Sequence, residues 1–167
     1  MPFEIVRIDQ FGVPTSGLRN IRCAIDGRRA VFDLVPERVL PPDPAKADHP
    51  DPMIRRLTEG ASLVVEGPMA LRLEFWRVLG LAADSDSDVD LFGGLQGDWS
   101  SNPRLNDSQT FFYPLLEIRS SPWKALLPEW RGRDDADIRH IRMISAECSY
   151  DVLGELGAGT WIDSRAE

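Results

Sequence analysis

A chain of 167 residues with 43% apolar residues is long enough to bury its own core and short for two domains, so a single domain over 1–167 is expected. The formal charge of −8 and pI near 4.8 exclude direct nucleic-acid binding, which needs a basic face to displace counterions from phosphates. Only Cys23 and Cys148 are present, outside any CxxC, and there is no signal-like or membrane-length apolar run, so the expectation is a reduced, cytoplasmic protein with no membrane association.

Phe3 to Asp9 (FEIVRID) has the Phe, Ile and Val content of a first strand, ended by the turn region from Gly12 to Gly17. Ile21 to Ile25, Asp26-Gly27 and Arg28 to Val35 read as a hairpin, because Asp-Gly readily adopts the positive φ angles of a type I′ turn. A two-residue loop at Asp26-Gly27 pairs Ile25 with Arg28, Cys23 with Ala30 and Ile21 with Phe32. Ile21, Cys23, Ile25, Ala30, Phe32 and Leu34 then share one face, opposite Arg22, Arg29 and Asp33.

Residues 41–52 (PPDPAKADHPDP) hold five prolines and form a linker or long surface loop. Asp51 as N-cap, Pro52 at the first helical position and Gly60 as a stop predict a short helix from Pro52 to Glu59. Ala61 to Glu66 reads as a strand broken by Gly67-Pro68. MALRLEFWRVLGL is read as a strand rather than a helix, since Leu71, Leu73 and Phe75 alternate with Arg72 and Glu74.

Residues 84–110 (DSDSDVDLFGGLQGDWSSNPRLNDSQT) form a long acidic loop with six aspartates against the single Arg104, a local charge of −5. Connections of this length are uncommon unless functional or disordered. Asp84, Asp86, Asp88 and Asp90 resemble the first half of an EF-hand loop. Counting from Asp84, however, Val89 stands where Gly is needed and Leu95 where the bidentate Glu belongs; counting from Asp86 gives Leu91 and Gly97. Only an irregular calcium site drawing on Asp98 survives that comparison, and no metal or cofactor is expected. Gly93, Gly94 and Gly97 match neither phosphate-loop spacing, and Asp90 and Asp98 would repel phosphate. Leu91, Phe92, Leu95 and Trp99 do not belong in a plain acidic spacer. They either tuck the loop onto the body or anchor a partner.

Beyond this segment, Phe111 to Arg119 reads as a strand pushed towards an edge or bulge by Pro114, and Ser121-Pro122 caps a short helix through Leu127. Asp137 to Ser145 and Tyr150 to Leu156 form a second hairpin around Glu147 to Ser149. Trp123 and Trp130 flank the short helix and are expected to pack on the sheet. Strands dominate without regular βαβ alternation, and no internal repeat is present, so the fold class is α+β, mainly antiparallel sheet with a few short helices.

No catalytic constellation is legible. His49 lies in the proline-rich stretch, and His140 sits eight residues before Cys148, so the pair reads as a half-buried histidine and a core-edge thiol. Asp134, Asp135, Asp137 and Glu129 read as a charged turn. The resulting expectation is a non-enzymatic interaction protein, of inhibitor or immunity type. Its basic partner, for example a nucleic-acid-binding protein or a toxin, meets Asp84, Asp86, Asp88, Asp90, Leu91, Phe92, Asp98 and Trp99. The alternative is a small enzyme or ligand-binding domain whose pocket is assembled from distant residues. A polar pocket lined by His140 or several carboxylates, away from 84–110, would favour it. The oligomeric state is left open.

Overall fold

The computed structural model describes residues 4–12, 17–41, 48–58, 62–84 and 113–165. The strands are β1 (Glu4–Arg7), β2 (Leu18–Asp26), β3 (Arg29–Leu40), β4 (Leu63–Glu66), β5 (Met69–Asp84), β6 (Leu115–Arg119), β7 (Ile138–Ile144) and β8 (Ser149–Asp163). Two short helices, α1 (Pro52–Thr58) and α2 (Pro122–Ala125), and a 3-10 turn at Glu129–Arg131 interrupt them, so helix is a minor component. The strands make one sheet in the order β1-β6-β7-β8-β5-β3-β2, with β4 beside β3, and their pairings are antiparallel.

The first hairpin forms, but its turn is displaced by one residue. Asp26 pairs with Arg29 and Ile25 with Ala30, leaving Gly27-Arg28 as the loop. Positive φ falls on Gly27 alone of that pair (+60°), which suits a type II′ rather than a type I′ turn. Moving the loop by one residue shifts the pairing by two, an even step, so the expected common face survives: Cys23 now meets Phe32 and Ile21 meets Leu34.

The ambiguous segment after Gly67-Pro68 is a strand. Leu71, Leu73 and Phe75 are buried, facing Leu34, Phe32 and Ala30 of β3, while Arg72 and Glu74 point the other way. Arg72 donates two hydrogen bonds to Asp33 directly across from it, at 2.8 and 2.7 Å. Helical winding would have left the polar residues in the core. Pro114 does not put β6 at an edge. It lies just before Leu115, and β6 runs between β1 and β7. With no N–H to offer the ladder, Pro114 contributes only its carbonyl, which accepts from Ile144 N–H at 2.9 Å.

The core lies on one face of a bent sheet. Phe32 of β3 meets Phe75 of β5 edge to face at 5.6 Å, and also Tyr150 of β8 at 5.3 Å, although β5 separates those two strands. At the ends, Ala146 N–H donates to Leu18 C=O at 2.9 Å and Arg19 pairs with Glu147, drawing β2 towards the β7–β8 turn. Ile141, Met143 and Val152 fill the interior. Each such side chain contributes about 1.5–3 kcal/mol when fully buried. Near β1, the buried Tyr113 donates to Asp9; burial first, then that hydrogen bond, push its phenol up to about 12.

The long β5–β8 pairing carries two irregularities. Between Leu73 and Phe75 the extra residue is on β8, whereas between Trp76 and Gly80 residues 77–79 stand opposite Gly154 alone. The second bulge comes so close that a Cβ on Gly154 would lie 3.2 Å from Val78 Cα and 3.4 Å from Arg77 O. A side chain there would have to displace backbone. Gly154→Val is therefore expected to destabilise the fold by about 1–3 kcal/mol in urea unfolding; unchanged stability would contradict this account of the bulge.

Candidate functional site

The second face of the sheet is partly covered by α2, and a chain of buried polar groups lies beneath it. β6 ends at Arg119, the chain turns at Ser120 (φ +53°), and Ser121 caps α2 by accepting Lys124 N–H at 3.3 Å, with Pro122 opening the helix. Ser121 Oγ lies 2.7 Å from His140 Nδ1, and His140 Nε2 lies 3.0 Å from Asp151 Oδ1. His140 and Arg142 alternate along β7 and so share this face. Arg142 is in register with Asp151 and donates to it through Nη2 at 2.6 Å and Nε at 3.0 Å. Trp123 stacks on the imidazole, with centroids 4.8 Å apart and planes 13° from parallel.

One hydrogen-bond direction satisfies every member. Lys124 N–H donates to Ser121 Oγ, the Ser121 hydroxyl donates to Nδ1 of a neutral imidazole, and Nε2–H donates to the Asp151 carboxylate. Burial alone would raise the Asp151 carboxyl, but the hydrogen bonds from His140 and Arg142 prevail and hold it below its ordinary value.

Serine, histidine and aspartate in a row invite comparison with a nucleophilic triad. Access decides against it: Ser121 is 3% exposed, His140 1% and Asp151 4%. The imidazole face is occupied by Trp123, and the carboxylate is shared with Arg142, so no acyl group can reach Oγ. The arrangement fastens α2 to β7 and β8. It also corrects the expected half-buried His140, which is fully buried. Cys148 instead contacts Ser145, at 3.4 Å between Sγ and Oγ.

An open cleft of about 480 Å³ lies between the β2–β3 turn, the β5 bulge and the turn after α2. Arg28, Arg77 and Arg131 line it together with Glu129, Asp134 and Asp135. Arg77 occupies the bulge in a left-handed conformation (φ +48°), and Val78 N–H ties the bulge to Arg28 C=O at 2.8 Å. The Arg77 side chain is held by Asp135 at 2.6 Å and Glu155 at 3.2 Å. The Arg77 hydrogen bond in turn holds the Asp135 carboxyl below its ordinary value. Gly132 (φ +101°) ends the 3-10 turn. Trp130 does not pack on the sheet. It is 78% exposed beside the cleft, with the Arg131 guanidinium 4.9 Å from its ring centroid, and Leu126 nearby in sequence is 82% exposed.

Of the residues expected to meet a partner, Asp84 is the last residue of β5, its backbone paired with Ser149. Asp86, Asp88, Asp90, Leu91, Phe92, Asp98 and Trp99 lie outside the described residues. His49 Nδ1 accepts from Asp51 N–H at 3.1 Å. Among the described residues no group of three or more His, Cys, Asp or Glu is arranged to hold a metal.

Sequence reasoning missed both the polar chain and the cleft. The chain had a signal: His140 and Arg142 at alternate positions of one predicted strand, and Asp151 on its hairpin partner. The cleft had only Arg77 inside an apolar run. Comparison with family models, curated proteins and solved structures finds no match to this chain.

His140→Ala leaves Asp151 and Ser121 short of a partner in a buried site, and is expected to cost about 3–5 kcal/mol in urea unfolding. Ser121 is expected to resist an organophosphorus serine probe, and labelling would overturn the structural account of the chain. The pH dependence has a defined sign. Asp151 and Glu117, the latter through its Arg139 hydrogen bond, have depressed folded pKa values. Their contribution is complete above the ordinary values of 3.8 and 4.5 and is lost as the pH falls through the depressed ones. Urea midpoints should fall on acidification below about pH 4, and Arg139→Gln should reduce that dependence.

Proposed function

We propose that this chain is a non-enzymatic binding protein that docks a basic protein partner, in the manner of an inhibitor or immunity-type protein. The distribution of charge is the observation that carries the reading. The scaffold's carboxylates are in large part matched by arginines: Asp33 with Arg72, Asp151 with Arg142, Glu117 with Arg139, Asp135 with Arg77. Residues 84–110 hold a net −5 of the total −8. The residues flanking that stretch lie at one end of the sheet, where Asp84 pairs with Ser149 and Leu115 with Met143, beside the β7–β8 turn. Unbalanced negative charge delivered at one end steers a positive partner and sets its on-rate, and apolar anchors such as Leu91, Phe92 and Trp99 would set its residence time. The burial of Ser121, His140 and Asp151 supports a binding role over a hydrolytic one.

Affinity capture from native lysate at low and high salt tests this. The expected result is a basic protein retained at low salt, weakened at high salt, and lost when Asp84, Asp86, Asp88 and Asp90 are replaced by Asn. Capture indifferent both to salt and to those replacements would count decisively against it. The polar cleft, away from 84–110 in sequence, favours a second reading as a small-ligand-binding domain.

A further inference from the structure

The cleft between the β2–β3 turn, the β5 bulge and the 3-10 turn holds three arginines and three carboxylates, whose formal charges balance without being paired one to one. Each carboxylate already has a cation. Asp135 is held by Arg77 at 2.6 Å, Glu129 by Arg133 at 2.5 Å and Asp134 by Arg133 at 3.5 Å. Asp135 also accepts Asp137 N–H at 2.9 Å, and its carbonyl accepts Lys124 Nζ at 2.6 Å. Arg77 is shared between Asp135 and Glu155. Arg28 and Arg131 are different: among the described residues neither has an ion-pair partner, although both line the cleft. The site is formally neutral, but Arg77 and Arg133 each serve two acids, so the Arg28 and Arg131 guanidiniums keep N–H donors that no carboxylate among the described residues engages.

The walls are held in place rather than adaptable. The Val78 to Arg28 backbone bond fixes the β2–β3 turn against the bulge, and the Arg77–Asp135 pair fixes the bulge against the segment after α2. Arg131 lies over one part of the Trp130 indole, whose ring is otherwise mostly in solvent. A guanidinium offers paired N–H donors suited to the two oxygens of a carboxylate or phosphate, and an exposed indole offers a flat apolar surface beside it. We propose that this cleft binds a small ligand carrying an oxyanion, carboxylate or phosphate, on a flat ring. Arg28 and Arg131 hold the oxyanion, and the Trp130 indole holds the ring.

This site is separate from the docking surface proposed above. Residues 77–79 and Asp84 are well apart along β5, about 15 Å at the rise of an extended strand, and the cleft is formally neutral where residues 84–110 carry −5. Failure of one proposal therefore leaves the other standing.

The test follows the Arg28 and Arg131 Nε–Hε resonances of the full chain during titration with benzoate, adenosine monophosphate and adenosine at constant ionic strength. The expected result is a saturable shift of both resonances with at least one anionic probe, with a Kd of about 1 mM or tighter. The stronger response identifies carboxylate or phosphate as the preferred oxyanion, and adenosine alone should bind at least about tenfold more weakly. Arg28→Gln should weaken the anionic probe about tenfold or more, whereas Arg29→Gln, one residue along and away from the cleft, should leave it unchanged. Trp130→Ala, at an exposed position, should weaken the ring-bearing probes without lowering thermal stability. Absence of saturation by both anions up to ~10 mM, an equal response to adenosine, or equal weakening by Arg29→Gln would overturn the proposal.

Discussion

The pairing of β5 with β8 is the constraint on which the rest of the molecule depends. It runs from Met69 opposite Asp163 to Asp84 opposite Ser149 and joins the β2–β3–β4 half of the sheet to the β6–β7–β1 half. Two long strands gain a backbone ladder together with cross-strand packing along most of their length, which outweighs the local cost of two bulges. The bulge at residues 77–79 is admissible because Gly154 has no side chain, and it pushes Arg77 out of the ladder to become part of the cleft wall. The same register sets Asp151 beside Ala82 on one side and Arg142 on the other.

The buried serine, histidine and aspartate illustrate how environment assigns a role to a set of residue types. In water-accessible form the same three groups activate a nucleophile: the imidazole takes the serine proton and the carboxylate orients the imidazole. Here α2 covers them, Trp123 occupies the imidazole face and Arg142 shares the carboxylate, so the hydrogen bonds are spent on holding a short helix to the sheet. A four-residue helix has little stability of its own. Its attachment through Ser121, together with Lys124 donating to the carbonyls of Asp135 and Ile138, supplies what its length does not. That attachment in turn positions the segment bearing Trp130 and Arg131.

The two proposed surfaces follow from where the sheet's irregularities lie. Asp84 leaves β5 at the β7–β8 turn, while the bulge, the β2–β3 turn and the segment after α2 meet further back along the same strand. A protein with a net charge of −8 thus keeps two arginines, Arg28 and Arg131, without a carboxylate partner among the described residues, because pairing is decided over a few ångströms and not by the total.

The strand content of this chain was legible in sequence because its signals are local. Alternation in Leu71, Leu73 and Phe75, the apolar faces flanking Asp26-Gly27, and the Ser121-Pro122 cap each depend on neighbouring residues alone, and each predicts its element. Turn placement was less secure: moving the loop by one residue to Gly27-Arg28 shifts the pairing by two and keeps every side chain on its face, so hydrophobic pattern cannot detect it. The order of strands, the interior position of β6 and the exposure of Trp130 were not legible, since they depend on which distant segments pair. Sequence by itself determined a strand-rich acidic chain with its charge concentrated in 84–110. Only the tertiary structure brought Ser121, His140 and Asp151 into hydrogen-bond contact and Arg28, Arg77 and Arg131 around one cleft, because such contacts are made across the sheet and not along the chain.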